Sequence, residues 1–338
     1  MEIVKEPEGA SISEVTPDTL IDKRLRRAYA GFEKFDIARG LTDPRDCTQV
    51  DSTGLGGEMT TESTVQYGTA SWQPGFIAKH QADVSSYLEQ AAKTDFLQSV
   101  ATCEVDLITR MQARSLLEVG CGIGVLLPRL VKALLPGGLV VGVDHSETFV
   151  AEAKLRMEVE GCSASVRVQQ ADAYRLPFDA ASFDVAHCER VLMHLDDPSA
   201  ALAEMKRVVR PGGWVVAVEP DWGGTRIDHA DRAGMDLLYA RAMHMRQPDM
   251  GLTLYRRMAE VGLSEIQPVP MISVLTDLNV MKGYGLSLTP AAEALVAAGT
   301  FTKAHADDLL AALEQANEEG RFYCVGAMHV VSGRVRAS

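Results

Sequence analysis

From Ser115 to Glu219 the chain alternates short apolar runs with helical segments, and this rhythm constrains the fold more than any other feature. The apolar runs are Ser115–Val119, Leu139–Asp144, Ser165–Gln169, Phe183–Cys188 and Trp214–Glu219. Helical patterns stand between them at Gly124–Leu134, Ser146–Glu160 and Ser199–Val209. Strands joined through helices by short loops lie parallel, and the helices cover both faces of the sheet. The expected class is therefore α/β, with a doubly wound, Rossmann-like sheet.

Composition narrows the setting. The 338 residues suffice for one large or two moderate domains, and 46% hydrophobic residues is ordinary for a globular chain. With 33 Lys+Arg against 46 Asp+Glu the net charge is −13, which argues against a nucleic-acid partner because phosphate neutralisation needs a basic surface. No apolar run approaches the roughly 18 residues of a membrane span. The N-terminus, Met1–Glu8, has neither a basic nor an apolar leader segment. Cys47, Cys103, Cys121, Cys162, Cys188 and Cys324 are scattered without a CxxC pair, so neither a zinc site nor a disulfide framework is expected. The expectation is a cytoplasmic protein with no membrane partner and no bound metal.

Outside the alternating block the chain divides into a region 1–103 and a main domain 104–338. The first contains an expected helix at Leu20–Ala38 and a Gly-, Thr- and Ser-rich stretch over 40–75, read as a linker or a lid. Further helices are expected at Pro74–Gln90 and Thr94–Arg110. Past the block, helices are expected at Ala230–Met245 and Gly251–Val261, and strands at 267–276 and 322–332. A helical insertion of about 277–320 separates those strands.

Chemistry concentrates at the ends of the first strands. The first runs into Glu118-Val119-Gly120-Cys121-Gly122-Ile123-Gly124. Glycines let the backbone turn tightly and approach a ligand, and the helix behind them presents free N–H groups. The dinucleotide fingerprint is GxGxxG, whereas here the third glycine comes one residue early and a carboxylate precedes the turn. Glu118 would repel a pyrophosphate and suits an ammonium group. Asp144 ends the second strand about 20 residues on, where an acidic side chain accepts both ribose hydroxyls. Asp172, after the third strand, is placed to accept from an adenine amino group, or else to serve as a loop carboxylate or cap.

The ordered set LLEVGCGIG, VVGVD, QADAYRLPF, FDVAHCERVLMHL and VVRPGGWVVAVEP resembles the class I S-adenosylmethionine-dependent methyltransferases, over about residues 115–220. It is most similar to the small-molecule group that includes quinone C-methyltransferases and bacterial secondary-metabolite enzymes. The resemblance implies a seven-stranded sheet of order 3-2-1-4-5-7-6 with strand 7 antiparallel, an N-terminal helical lid and S-adenosyl-L-methionine as cofactor. By position, Glu118 and the turn Gly120, Cys121, Gly122 and Gly124 would hold the methionine part. Asp144 would hold the ribose and Asp172 with Ala173 the adenine, the Glu189 backbone would approach the methionyl amine, and His145 is counted among the cofactor-binding residues.

Methyl transfer needs alignment, exclusion of water and, for an acidic acceptor, a base. Residues after strands 4 and 5 nominate Glu189, Arg190, His194, Asp221 and Trp222. His194 reads either as a base or as a structural, cofactor-gating group. Arg190 reads either as an anion anchor or as an ion-pair partner of Glu189 or Asp197. Trp222 forms an acceptor wall or packs in the core. His187 and Cys188 read as packing residues of a buried strand. Tyr29, Tyr67 and Trp72 are expected to close the site. A small-molecule acceptor of specialised metabolism is the expected substrate, at C, O or N, and related lids allow a homodimer. A nucleic-acid amino methylase is disfavoured because Cys188-Glu189-Arg190-Val191 stands where its Asn/Asp-Pro-Pro-aromatic motif would be. The rival readings are an NAD-dependent oxidoreductase and a cofactor-binding scaffold or cyclase-like protein without methylation.

Overall fold

Leu116 and Leu117 are neighbours, and both are completely buried. Successive strand residues point to opposite faces, so this strand must be covered on both sides. The computed structural model, which describes residues 72–243, 245–283 and 287–337, shows the cover. Three helices come first: α1 (Pro74–Lys79), α2 (Gln81–Ala92) and α3 (Asp95–Arg110). The alternating block follows as β1 (Ser115–Val119), α4 (Leu127–Ala133), β2 (Leu139–Asp144), α5 (Glu147–Val159), β3 (Val166–Gln170), β4 (Phe183–Glu189), α6 (Pro198–Val208) and β5 (Val209–Ile227). Then come α7 (Arg232–Ala242), α8 (Met250–Glu260), β6 (Ser264–Leu275), α9 (Leu278–Gly283), α10 (Thr289–Ala297), α11 (Lys303–Glu318) and β7 (Cys324–Arg334).

The strands form one seven-stranded sheet of order β3-β2-β1-β4-β5-β7-β6. The first five are parallel, and β7 runs antiparallel between β5 and β6. This is the doubly wound order that the resemblance implies. One face sets Leu116, Val140, Val185 and Val216 against Val100 and Ile108 of α3, Leu127 and Leu130 of α4, and Val150 and Ala153 of α5. The other sets Leu117, Val141, Ala186 and Ala217 against Leu202 and Met205 of α6 and Leu254 and Met258 of α8. Each fully buried Leu or Val contributes about 1.5–3 kcal/mol, so the sheet is a rigid platform for whatever its loops carry. The insertion between β6 and β7 joins α7 in a separate apolar cluster around Leu238, Met281, Leu295, Leu309 and Leu313.

Several boundaries differ from the sequence reading for local reasons. The helix expected over Pro74–Gln90 breaks at His80, whose backbone (φ −122°, ψ 30°) leaves helical geometry. The helix expected from Gly124 starts at Leu127, because Gly124 (φ +80°) belongs to the turn. β5 is far longer than Trp214–Glu219, since it re-pairs with β7 after a register shift between Asp221 and Arg226. The expected boundary at 103/104 falls within α3. Tyr29, Tyr67 and the helix expected at Leu20–Ala38 lie outside the described residues. Among the described residues no helix is long and apolar enough to cross a membrane.

Candidate cofactor and acceptor site

The carboxyl ends of β1, β2 and β4 open onto a cavity of about 910 Å³. Small-molecule sites span about 300–1,000 Å³, and this one lies near the top of that range. It is walled by the loops that follow the strands, by Trp72 and by residues of β5, β6 and β7.

The β1 turn is shaped by backbone that only glycine adopts freely. Gly120, Gly122 and Gly124 have φ of +74°, +52° and +80°. Gly120 and Cys121 both donate N–H to Val143 O, at 2.7 and 2.9 Å, which ties the turn to the end of β2. A Cβ on Gly120 would lie 2.3 Å from Val191 Cγ2. Gly120, Cys121 and Gly122 line the cavity; Gly124 does not, and packs against Ala153 of α5.

Asp144 joins two loops as well as facing the cavity. Its Oδ2 accepts from Gly122 N–H at 2.9 Å and its Oδ1 from Ser146 N–H at 2.9 Å. The neighbouring His145 has Nδ1 3.2 Å from Asp144 Oδ1 and Nε2 2.8 Å from the backbone oxygen of Trp72. Its bond to Asp144 raises the imidazole pKa above the ordinary value, and both ring nitrogens face oxygen acceptors. Thus Trp72 is anchored beside the β2 loop. Asp172 and Ala173 line the cavity after β3, where Asp172 Oδ1 accepts from Tyr174 N–H at 2.9 Å.

The loop after β4 is held from below. Arg190 has a left-handed backbone (φ +55°) and donates its N–H to Val218 O at 2.8 Å. Its Nε donates to Glu189 Oε1 at 2.9 Å, so Arg190 pairs with Glu189. A short 3-10 turn, Leu192–His194, follows. Glu219 of β5, fully buried, accepts from the N–H groups of Val191, Leu192 and Met193 at 2.9, 2.6 and 3.3 Å. Burial pushes its carboxyl up to about 8 against those three donors. Glu219 was missed in the sequence reading; its one signal is a carboxylate at the end of an otherwise apolar strand.

His194, which that turn presents to the cavity, has both ring nitrogens shielded from solvent and unpartnered among the described residues. Its ring lies 5.2 Å from that of Trp72. Burial first, then Arg190 and His145, push its pKa down to about 3, so it is neutral near pH 7. The sign for stability follows: an unfolded chain binds a proton near 6.5, the native one only near 3, so stability is lost as pH falls through that window. In ligand-free protein, His194→Gln is expected to flatten the fall of Tm between pH 6.5 and about 3. Thermal melts at stepped pH check this, and superimposable wild-type and variant profiles would contradict it.

Trp72 Nε1 and Trp222 Nε1 are likewise buried without partners among the described residues, and both rings line the cavity. Met243 and Met245 line it too, while Met250 and Met258 are core residues. Asp221 instead caps its own loop, accepting from Gly224 N–H at 3.1 Å. His187 corrects the packing reading, for it bridges the buried carboxylates of Glu118 and Glu104. Among the described residues no group of three or more His, Cys, Asp or Glu is placed to hold a metal ion.

Residues 117–217 match the family model described as a methyltransferase domain. A Streptomyces fradiae protein, known as an uncharacterized 37.1 kDa protein in transposon TN4556, is 37% identical over 200 residues, 58% of this chain and 56% of that one. The demethylmenaquinone methyltransferase of Staphylococcus aureus is 39% identical over 103 residues, 30% of this chain and 42% of that one. The YcgJ protein of Bacillus subtilis shares the fold with a TM-score of 0.50 at 18% identity, over 69% of this chain and 98% of that one. The chain spans about half the length of the two sequence relatives. Over residues 117–217 the chain is thus similar to methyltransferase domains, on a sheet of the same doubly wound order.

Proposed function

We propose that the chain transfers the methyl group of S-adenosylmethionine to a small, neutral, largely apolar acceptor, with S-adenosylhomocysteine as the second product. One observation carries the reading: a single cavity has carboxylates and a glycine turn along one wall and apolar side chains along another. The first wall holds Glu118, Asp144 and Asp172. The second holds Trp222, Met243, Met245, Leu275 and Met328. The residues fit the cofactor. Gly120 and Gly122 bring bare left-handed backbone to the cavity wall, and the buried N–H of Trp72 has no partner among the described residues.

Bound there, S-adenosylmethionine supplies a methyl group on a sulfonium, open to in-line displacement. Glu118 and the turn at Gly120–Gly122 hold its amino-acid part, Asp144 accepts from the ribose hydroxyls, and Asp172 with Ala173 borders the adenine. His145, through its bond to the Trp72 backbone, holds that indole against the cavity and excludes water. The Glu189–Arg190 pair is internally neutralised, so it does not select an anionic acceptor. His194 stays neutral beside a sulfonium and offers an acceptor hydroxyl a hydrogen bond. With its pKa near 3 it orients that group more than it deprotonates it. Trp222 Nε1–H supplies a second hydrogen bond to an acceptor oxygen. The setting we assign, from the resemblance to bacterial secondary-metabolite enzymes, is specialised metabolism.

Methyl-labelled S-adenosylmethionine incubated with the protein and a metabolite extract tests this. Label is expected in the fraction that partitions into a nonpolar solvent. Label confined to charged, water-soluble products would overturn the acceptor class. Binding of S-adenosylhomocysteine without any transfer would favour the non-methylating reading.

A further inference from the structure

Just ahead of the glycine turn, three ionisable side chains from separate elements are sealed in the core. Glu104 of α3 and His187 of β4 are completely buried, and Glu118 of β1 is 3% exposed. His187 Nδ1 lies 2.5 Å from Glu118 Oε2, and Nε2 lies 3.1 Å from Glu104 Oε2. Both ring nitrogens face carboxylate oxygens, so the ring satisfies both as an imidazolium that donates from each side. Burial opposes that charge, but Glu118 and Glu104 outweigh it and hold the imidazole pKa well above its ordinary value. Burial raises the Glu104 carboxyl to about 7, and its Oε1 has no partner among the described residues.

Such a triad is a poor device for stability alone. Buried ion pairs lose so much solvation that apolar replacements of equal volume are often as stable or more so. Of its three members, only Glu118 lines the cavity. Its Oε2 is held by His187, which leaves Oε1 as the oxygen available to a ligand. A carboxylate on a rotatable side chain serves a cation best when its rotamer is locked beforehand, since less freedom is then lost on binding.

We propose that His187 and Glu104 are positioning residues for Glu118, locking its carboxylate so that the free oxygen receives the cationic amino-acid head of S-adenosylmethionine. The inference rests on the methyltransferase reading. It extends the cofactor subsite beyond the matched segment 117–217, because Glu104 lies on the preceding helix. No contact of Glu104 or His187 with the ligand is involved; their effect passes through Glu118.

Two ligands separate this role from a merely structural one. S-adenosylmethionine carries the amino-acid head, and methylthioadenosine has the same nucleoside without it. Glutamine at 187 places its amide near the position of Nε2 and abandons Glu118. Asparagine places its amide near Nδ1 and keeps a donor toward Glu118. Calorimetric titration is expected to show His187→Gln binding S-adenosylmethionine about tenfold more weakly, the scale of one lost charge-assisted hydrogen bond. Methylthioadenosine affinity should be unchanged, and His187→Asn should restore most of the loss. Should the position-187 variants not fold, Glu104→Gln, which retains the imidazole, is expected to lower affinity severalfold for the first ligand only. Equal losses for both ligands, or no loss for either, would overturn the proposal. Wild-type protein that binds neither ligand would contradict the methyltransferase reading itself, a distinct result.

Discussion

Replacing Asp144 by alanine is expected to weaken S-adenosylhomocysteine binding by about tenfold or more, because hydrogen bonds to a charged group contribute about 1.5–3 kcal/mol. The effect has two sources. The ribose hydroxyls lose a charged acceptor, and the loops lose their tie, since Asp144 accepts from both Gly122 and Ser146 N–H. Asp144→Asn separates them: one amide oxygen still serves a loop, while the charge is gone. An intermediate affinity is expected from the asparagine variant. Unchanged affinity in the alanine variant, measured by calorimetry, would contradict the ribose assignment.

Gly120→Ala is expected to abolish measurable cofactor binding and lower Tm by roughly 5–15 °C. A left-handed backbone costs an L-residue about 1–2 kcal/mol, and the φ of Gly120 is +74°. The new Cβ would also meet Val191 Cγ2 at 2.3 Å. Val191 is β-branched and cannot swing away, so overpacking adds about 1–3 kcal/mol. Val191 begins the turn that presents His194, and its N–H is held by Glu219, so the displacement reaches across the cavity. Gly137→Ala is the control. Its φ is +77°, but nothing lies within 4 Å of its added Cβ. That variant should show a smaller drop in Tm and normal binding; equal binding losses in both would implicate general destabilisation.

The strands of the alternating block and the glycine turn were legible in the sequence because their signals are local, whereas the sheet order came only through the resemblance. A run such as Leu139–Asp144 carries its own apolar signal, and GxGxG marks its own turn. What escaped reading depends on distance. Glu104 and His187 meet across 83 residues and Glu219 holds the turn at Val191–Met193 from the next strand, and no spacing rule encodes such pairs. His187 looked like strand filler because a buried polar residue reveals its partner only in the fold. Local misreadings had local causes: Gly124 reads as helix by position, yet its positive φ places it in the turn. Arg190 left two partners open, and adjacency to Glu189 decided between them.

One cavity, with Glu118 before its glycine turn and Asp144 beyond, is expected to take a cationic nucleoside and to reject a dinucleotide pyrophosphate. Calorimetric titration of the full chain with S-adenosylhomocysteine and, in parallel, with NAD tests it most directly. Saturable binding of S-adenosylhomocysteine and none of NAD is the expected result. Binding of NAD with no response to S-adenosylhomocysteine would contradict it.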